Sequence, residues 1–263
     1  MTLIIGIKCK DGIVLGADGA ATLGAMGQGI ILQPMKKLEI ISNAIVLGVS
    51  GPVGLGQRFK GELEQLWSDR KLSGKQTFEA MGILRQALWK HAKEEWEVAT
   101  VTKQSIGNIA LLSAACQTLL AIPVSKKLCL FQFDQQCAPE EATENLPFVA
   151  IGSGQNIADP FLAFLRRVFW PDRLLPSLAD GIFATVWTLE HAIKTNPGGV
   201  ADPKQIVTVK NKGSDFKIRE LPEVELEEHI EAGYSAEKYL ANFKKIMGES
   251  SGTEGTEIPE PKK

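Results

Sequence analysis

Thr2-Leu3-Ile4-Ile5-Gly6-Ile7-Lys8-Cys9-Lys10-Asp11-Gly12-Ile13-Val14-Leu15-Gly16-Ala17-Asp18-Gly19 is the stretch that decides the fold. Two runs dominated by Ile, Leu and Val are split by Lys10-Asp11-Gly12. Such runs on either side of an Asp-Gly turn predict a β-hairpin. In a hairpin the start of the first strand lies beside the end of the second. The pattern therefore brings Asp18 next to Thr2, although they are far apart along the chain.

Thr2 is chemically unusual because of its place. Methionine removal strips Met1 where the second residue is small, so the mature chain is expected to begin at Thr2, with no propeptide. A terminal threonine carries a nucleophile, its hydroxyl, and a base, its own α-amine, on one residue. That amine titrates at about 7.7–8.0, near working pH, where a general base is most effective. A carboxylate at Asp18 would orient the amine electrostatically. An Asp that only caps the turn before Gly19 produces the same local sequence, so the hairpin alone leaves both readings open.

Further motifs follow in order: Ala21-Thr22-Leu23-Gly24, Lys36-Lys37-Leu38, Gly48-Val49-Ser50-Gly51 and Ala150-Ile151-Gly152-Ser153-Gly154. Together with Thr2 and Gly16-Ala17-Asp18-Gly19, this series resembles the proteasome-type β subunits. Within that group it is most similar to the peptidase subunit of the bacterial two-component ATP-dependent protease and to bacterial proteasome-related proteins. The likeness extends from Thr2 to Val209. It implies an N-terminal-nucleophile threonine hydrolase with an α+β fold, a four-layer αββα sandwich.

The resemblance also implies site roles. Thr2 is the nucleophile, Asp18 tunes it, and Lys37 lowers the pKa of its hydroxyl, as a nearby cation would. Lys36 competes for the last role, but it precedes Lys37 and so faces the other way on an extended strand. Gly51 would offer its N–H to the oxyanion, and Ser153 would bond near the threonine amine. Ala21, Thr22, Val49 and Val53 would contact substrate. Pro52 departs from the small residue expected after Gly51. The family's Asp and Ser before a late Gly-Gly are also missing, because that stretch reads Lys194-Thr195-Asn196-Pro197-Gly198-Gly199. Asn196 is left as a substitute hydrogen-bonding group, and Asp202 lies downstream on an expected turn before Pro203.

Composition fits an enzyme subunit of 263 residues, 44% hydrophobic and 23% charged, with a formal charge of −2. Near neutrality argues against nucleic acid as a partner. No apolar run approaches the ~20 residues needed to span a bilayer, and the N-terminus lacks the basic n-region of a signal peptide. Cys9, Cys116, Cys129 and Cys137 have no metal-ligand spacing, and Cys9, Cys116 and Cys129, which lie in strand-like runs, read as reduced core thiols. A cytoplasmic protein with no metal and no cofactor is expected. Implied partners are further copies of the chain in rings or a helical stack, unfolded or peptide substrates, and an ATPase unfoldase.

Helical spacing of Leu55, Phe59, Leu63 and Trp67, and of Phe78, Met81, Leu84 and Leu88, predicts two helices. Strands are expected at Leu38–Val49, Asn108–Ala114, Thr118–Pro123, Leu128–Asp134, Pro147–Ile151, Gln205–Val209 and Phe216–Glu220. Helices are expected from Ala158 to Trp170 and, capped by Ser177, from Leu178 to Ile193. The resulting organisation is a hydrolase domain over 1–221, a charged helical extension over 222–247 broken near Gly233, and a disordered tail over 248–263. Two other functions fit the same sequence: a catalytically silent wall subunit, and an amidase of small substrates with the same nucleophile.

Overall fold

The computed structural model describes residues 2–23, 31–106, 114–171, 174–196, 199–212 and 215–250. The hairpin is β1 (Ile4–Cys9) and β2 (Gly12–Ala17), antiparallel, with Ile4 opposite Ala17 and Cys9 opposite Gly12. Successive side chains on a strand point to opposite faces. Ile5, Ile7 and Val14 face one way, while Ile4, Ile13 and Leu15 face the other. Both sets are buried, which is why the hairpin reads as continuous apolar runs rather than as an alternation.

Around it forms a five-stranded antiparallel sheet with β10 (Phe148–Ile151), β11 (Gln205–Lys212) and β12 (Asp215–Glu220), ordered β10-β1-β2-β11-β12. A second antiparallel sheet runs in chain order through β5 (Leu38–Ile41), β6 (Ile45–Ser50), β7 (Gln117–Val124), β8 (Lys127–Phe133) and β9 (Pro139–Glu141). The two sheets meet through Ile4, Leu15, Val46, Leu119, Leu130 and Val207. The segment before Lys36 is not only loop: β3 (Ala20–Leu23) and β4 (Ile31–Pro34) pair as a separate ribbon.

Helices cover both outer faces. α1 (Val53–Ser68) and α2 (Thr77–Ile106) seat Leu55, Phe59 and Leu84 on Leu47, Leu120 and Phe131 of the second sheet. α3 (Gln155–Phe169), α4 (Leu178–Thr195) and α5 (Glu223–Ser250) cover the first sheet, with Leu162, Val186 and Leu226 in that core. Each fully buried large aliphatic or aromatic side chain contributes about 1.5–3 kcal/mol. The layers are therefore αββα, the architecture expected for an apolar-faced sheet pair that must be covered on both sides.

Ser177 caps α4 with a complete capping box: Asp180 N–H donates to Ser177 Oγ at 3.2 Å, and Ser177 N–H to Asp180 Oδ2 at 3.0 Å. The break expected near Gly233 does not occur, and α5 runs through it unbroken. A Cβ at Gly233 would lie 3.2 Å from Trp187 Cδ1, so the glycine lets α5 approach α4 closely instead of ending a helix. Trp187 Nε1 donates to Glu237 Oε1 at 3.1 Å across the same contact. The strand expected at Asn108–Ala114 falls outside the described residues except for Ala114; the disordered tail expected over 248–263 begins instead as helix, since α5 runs to Ser250, and the rest of it lies outside the described residues.

Candidate active site

Asp18 is the hub of the site. The register that sets Ile4 opposite Ala17 carries Asp18 to Leu3, where each residue's N–H meets the other. Asp18 N–H donates to Leu3 O at 3.1 Å, and Leu3 N–H donates to Asp18 Oδ1 at 2.8 Å. Oδ1 also accepts from Lys37 Nζ at 2.6 Å, and Oδ2 accepts from Ala20 N–H at 3.2 Å. The carboxylate is completely buried, and the Lys37 side chain is only 4% exposed. An acid held this way is more than a turn cap, since it ties the first strand, the second strand and the lysine to one point.

Lys37 enters from the start of β5. Burial lowers its pKa, and the hydrogen bond and charge of Asp18 pull the other way without fully offsetting the loss of water. Lys36 faces outward, as strand alternation requires, and its ammonium bonds both oxygens of Glu220 at 2.9 and 3.0 Å.

Thr2 sits above this pair. Its N–H donates to Ser153 Oγ at 3.1 Å, and its carbonyl accepts from Gly154 N–H at 3.1 Å. Gly152 makes that approach possible: at φ 93° it leaves a space where a Cβ would stand 2.3 Å from Thr2 O. Thr2, Ala21, Lys37, Val49, Gly51 and Val53 share the wall of a cleft of about 360 Å³. Thr22 lies in β3 opposite Leu32, and its side chain is outside the described residues. Gly51, at φ 151°, has Ala115 O only 2.8 Å from where a Cβ would go. Its N–H makes no hydrogen bond among the described residues. Pro52 directly precedes α1, with no side-chain cap. A larger cleft, about 750 Å³, lies at the far end of α1 around Trp67, Leu72 and Pro123, away from all of these residues.

A family model described as proteasome subunit matches residues 2–94. Anbu, an ancestral beta-subunit from Yersinia bercovieri, superposes with a TM-score of 0.66 at 14% identity, covering 97% of this chain and 100% of that one. An Anbu mutant from Hyphomicrobium sp. strain MC1 gives 0.65 at 16% identity, covering 98% and 100%. No curated protein matches in sequence. The chain has the proteasome β-subunit-like fold.

Within this fold, neither Asn196, the candidate substitute for the missing Asp–Ser pair, nor the downstream Asp202 hydrogen-bonds Thr2 among the described residues. Asn196 caps the C-terminal end of α4, and its carbonyl accepts from Gly199 and Val200 N–H at 3.1 and 3.2 Å. Asp202 is exposed and pairs with Lys204, which also bonds Glu190 Oε1 at 2.6 Å. Two glutamines that the motifs did not single out do reach the site. Gln117 Oε1 accepts from Gly152 N–H at 3.1 Å, holding the turn that carries Ser153. Gln205 bonds the backbone of Lys37 and Leu38. The available signal was positional: each is a polar residue opening a strand whose next residues are apolar on alternate faces. Among the described residues no cluster of His, Cys, Asp and Glu could hold a metal ion.

Proposed function

We propose that this proteasome-like subunit is a threonine-type endopeptidase of a self-compartmentalising complex in the cytoplasm, with Thr2 as nucleophile once Met1 is removed. One observation carries the reading: the buried Asp18–Lys37 pair, joined through Leu3 N–H to the residue next to Thr2 at a substrate-sized cleft. Taking two charges out of water costs several kcal/mol per ion before pairing recovers it, and a wall subunit needs no such pair.

While Met1 is attached, the Thr2 nitrogen is a peptide nitrogen and has no basic lone pair. Removal of Met1 turns it into an amine beside Ser153 Oγ. The Thr2 hydroxyl then attacks a peptide carbonyl, and its proton passes to that amine. Lys37 stabilises the developing negative charge on the threonine oxygen, and the Gly51 N–H receives the carbonyl oxyanion. Collapse breaks the C–N bond as the amine returns its proton to the leaving group, and a threonine ester remains. Water, deprotonated by the same amine, hydrolyses the ester and frees Thr2. The apolar walls at Ala21, Val49 and Val53 suit an apolar side chain of the substrate. Residues 1–221 carry the hydrolase site, the extension over 222–247 packs on them as α5, and 248–263 is a tail.

The test is covalent labelling by a peptide boronate or β-lactone, read by intact-mass spectrometry. Labelled protein should lack Met1, and Thr2→Ala should take no label. Labelling that persists in Thr2→Ala moves the nucleophile elsewhere, with Ser153 first in line. Active, labelled protein that retains Met1 or an acetylated terminus rejects the mechanism.

A further inference from the structure

Gln205 is a polar side chain in an apolar place. It opens β11 on the face that continues with Val207 and Val209, both packed between the two sheets. A buried amide is costly unless it is hydrogen-bonded. This one is fully satisfied. Oε1 accepts from Lys37 N–H at 3.1 Å and Leu38 N–H at 2.9 Å, and Nε2 donates to Leu38 O at 3.0 Å and Glu220 Oε1 at 3.2 Å. These are the two acceptor and two donor positions an amide has. A flipped amide would oppose its NH2 to two N–H donors and its oxygen to two acceptors, so only one orientation fits.

The location gives this network a purpose. β5 is the edge strand of the second sheet, and β11 belongs to the first. The Gln205 amide therefore crosses between the sheets and pairs with the start of β5 as a peptide unit of a neighbouring strand would. The residue it grips, Lys37, is the one whose ammonium enters the buried Asp18 carboxylate. Lys36, bonded to Glu220, closes the network from outside.

We propose that Gln205 is a positioning residue for Lys37, an inter-sheet clamp that fixes the start of β5 so that the lysine reaches Asp18. Its catalytic consequence rests on the threonine-peptidase reading, and its geometric consequence does not. Lysine is a flexible four-carbon chain, so its head group is only as well placed as its backbone. A displacement of about 1 Å at a site of this kind costs on the order of 100-fold in rate.

Two measurements on the full chain separate the outcomes. Gln205→Met keeps an unbranched side chain of similar length and removes all four hydrogen bonds. Acetylation of lysines by a mild amine reagent, mapped by peptide mass spectrometry, should be slow at Lys37 in the wild type. In Gln205→Met it should rise about tenfold relative to the exposed Lys71. On a Thr2-dependent substrate, kcat should fall roughly tenfold or more with KM little changed. The same change made in a Lys37→Ala background should cause no further loss, because two residues acting as one unit are not additive. Unchanged Lys37 acetylation in folded Gln205→Met overturns the clamp, and so do losses that multiply in the double variant. If the wild type shows no Thr2-dependent turnover, the peptidase reading fails while acetylation still decides the clamp. Should Gln205→Met not fold, Gln205→Glu carries the same comparisons. It sets a carboxylate against Glu220, and adding Glu220→Gln should restore part of the Lys37 protection by supplying a donor.

Discussion

Replacing Asp18 by Asn is the sharpest perturbation of this structure. The substitution keeps the shape of the side chain and one oxygen. If that oxygen stays with Lys37 Nζ and Leu3 N–H, at 2.6 and 2.8 Å in the wild type, the new NH2 faces the Ala20 N–H at 3.2 Å and sets donor against donor. The larger effect is the lysine, whose side chain is 4% exposed and now lacks its counter-charge. Removing one partner of a buried ion pair costs about 3–5 kcal/mol, a large fraction of a typical stability of about 5–15 kcal/mol. The sign of the pH dependence follows from the lysine. Its folded-state pKa is already below the ordinary 10.5 because of burial, and loss of Asp18 lowers it further. At low pH the folded state must carry the buried charge, and the penalty is complete. As pH rises through the lowered pKa toward 10.5, the folded state sheds a proton that the unfolded state keeps, so folding is favoured. Urea unfolding at one protein concentration should therefore show Asp18→Asn destabilised by roughly 3 kcal/mol near pH 6 and by less near pH 9. Lys37→Met added to Asp18→Asn should recover much of the loss, because the orphaned charge is gone, without restoring Thr2 labelling. A penalty below about 1 kcal/mol at pH 6, or one unchanged by Lys37→Met, would refute the reasoning.

Three further outcomes are expected. Peptidase activity should rise as the Thr2 amine loses its proton near about 7.7–8.0 and fall again as Lys37 loses its own below 10.5; an alkaline limb at an unperturbed lysine value would contradict the burial of Lys37. Ser177→Ala removes the capping box of α4 and should cost about 1 kcal/mol in thermal or urea unfolding, with Thr2 labelling unaltered; a loss of labelling would tie α4 to the site. Light scattering should report a homo-oligomer, because an unguarded terminal nucleophile needs enclosure; a stable 28.6 kDa monomer across micromolar concentrations would reject the self-compartmentalised assembly.

Much of the site was legible because it is built from the hairpin and the segments that pair with it. Hairpin closure follows from local turn chemistry, so spacing placed Asp18 beside the start of the first strand, expected near Thr2; its hydrogen bond is to the next residue, Leu3. Alternation on a strand lets only one of Lys36 and Lys37 face inward, and the resemblance picked Lys37 by its place directly before Leu38. Ser177 was legible as a cap for the same local reason. Gly233 was misleading, because a glycine that ends a helix and one that lets two helices touch look alike until the neighbour, Trp187, is known. The ribbon of β3 and β4 was missed because Ala20-Ala21-Thr22-Leu23 lacks the run of branched apolar or aromatic residues that marks the equally short Phe148–Ile151.

The sequence by itself determined the continuous apolar runs, the turn between them and the order of the motifs, and the resemblance those motifs carry implied the layered α+β architecture. These are properties of residues close together in the chain, where propensity and turn geometry act without help. Tertiary structure alone decided which polar groups are buried together. Gln205 reaches Lys37 and Leu38, more than 160 residues away, only because two sheets stack face to face. Gln117 holds Gly152, 35 residues on, because β7 ends beside that turn. A buried polar group is stable only when its partners arrive from other elements, and no local pattern records where those elements will come to lie.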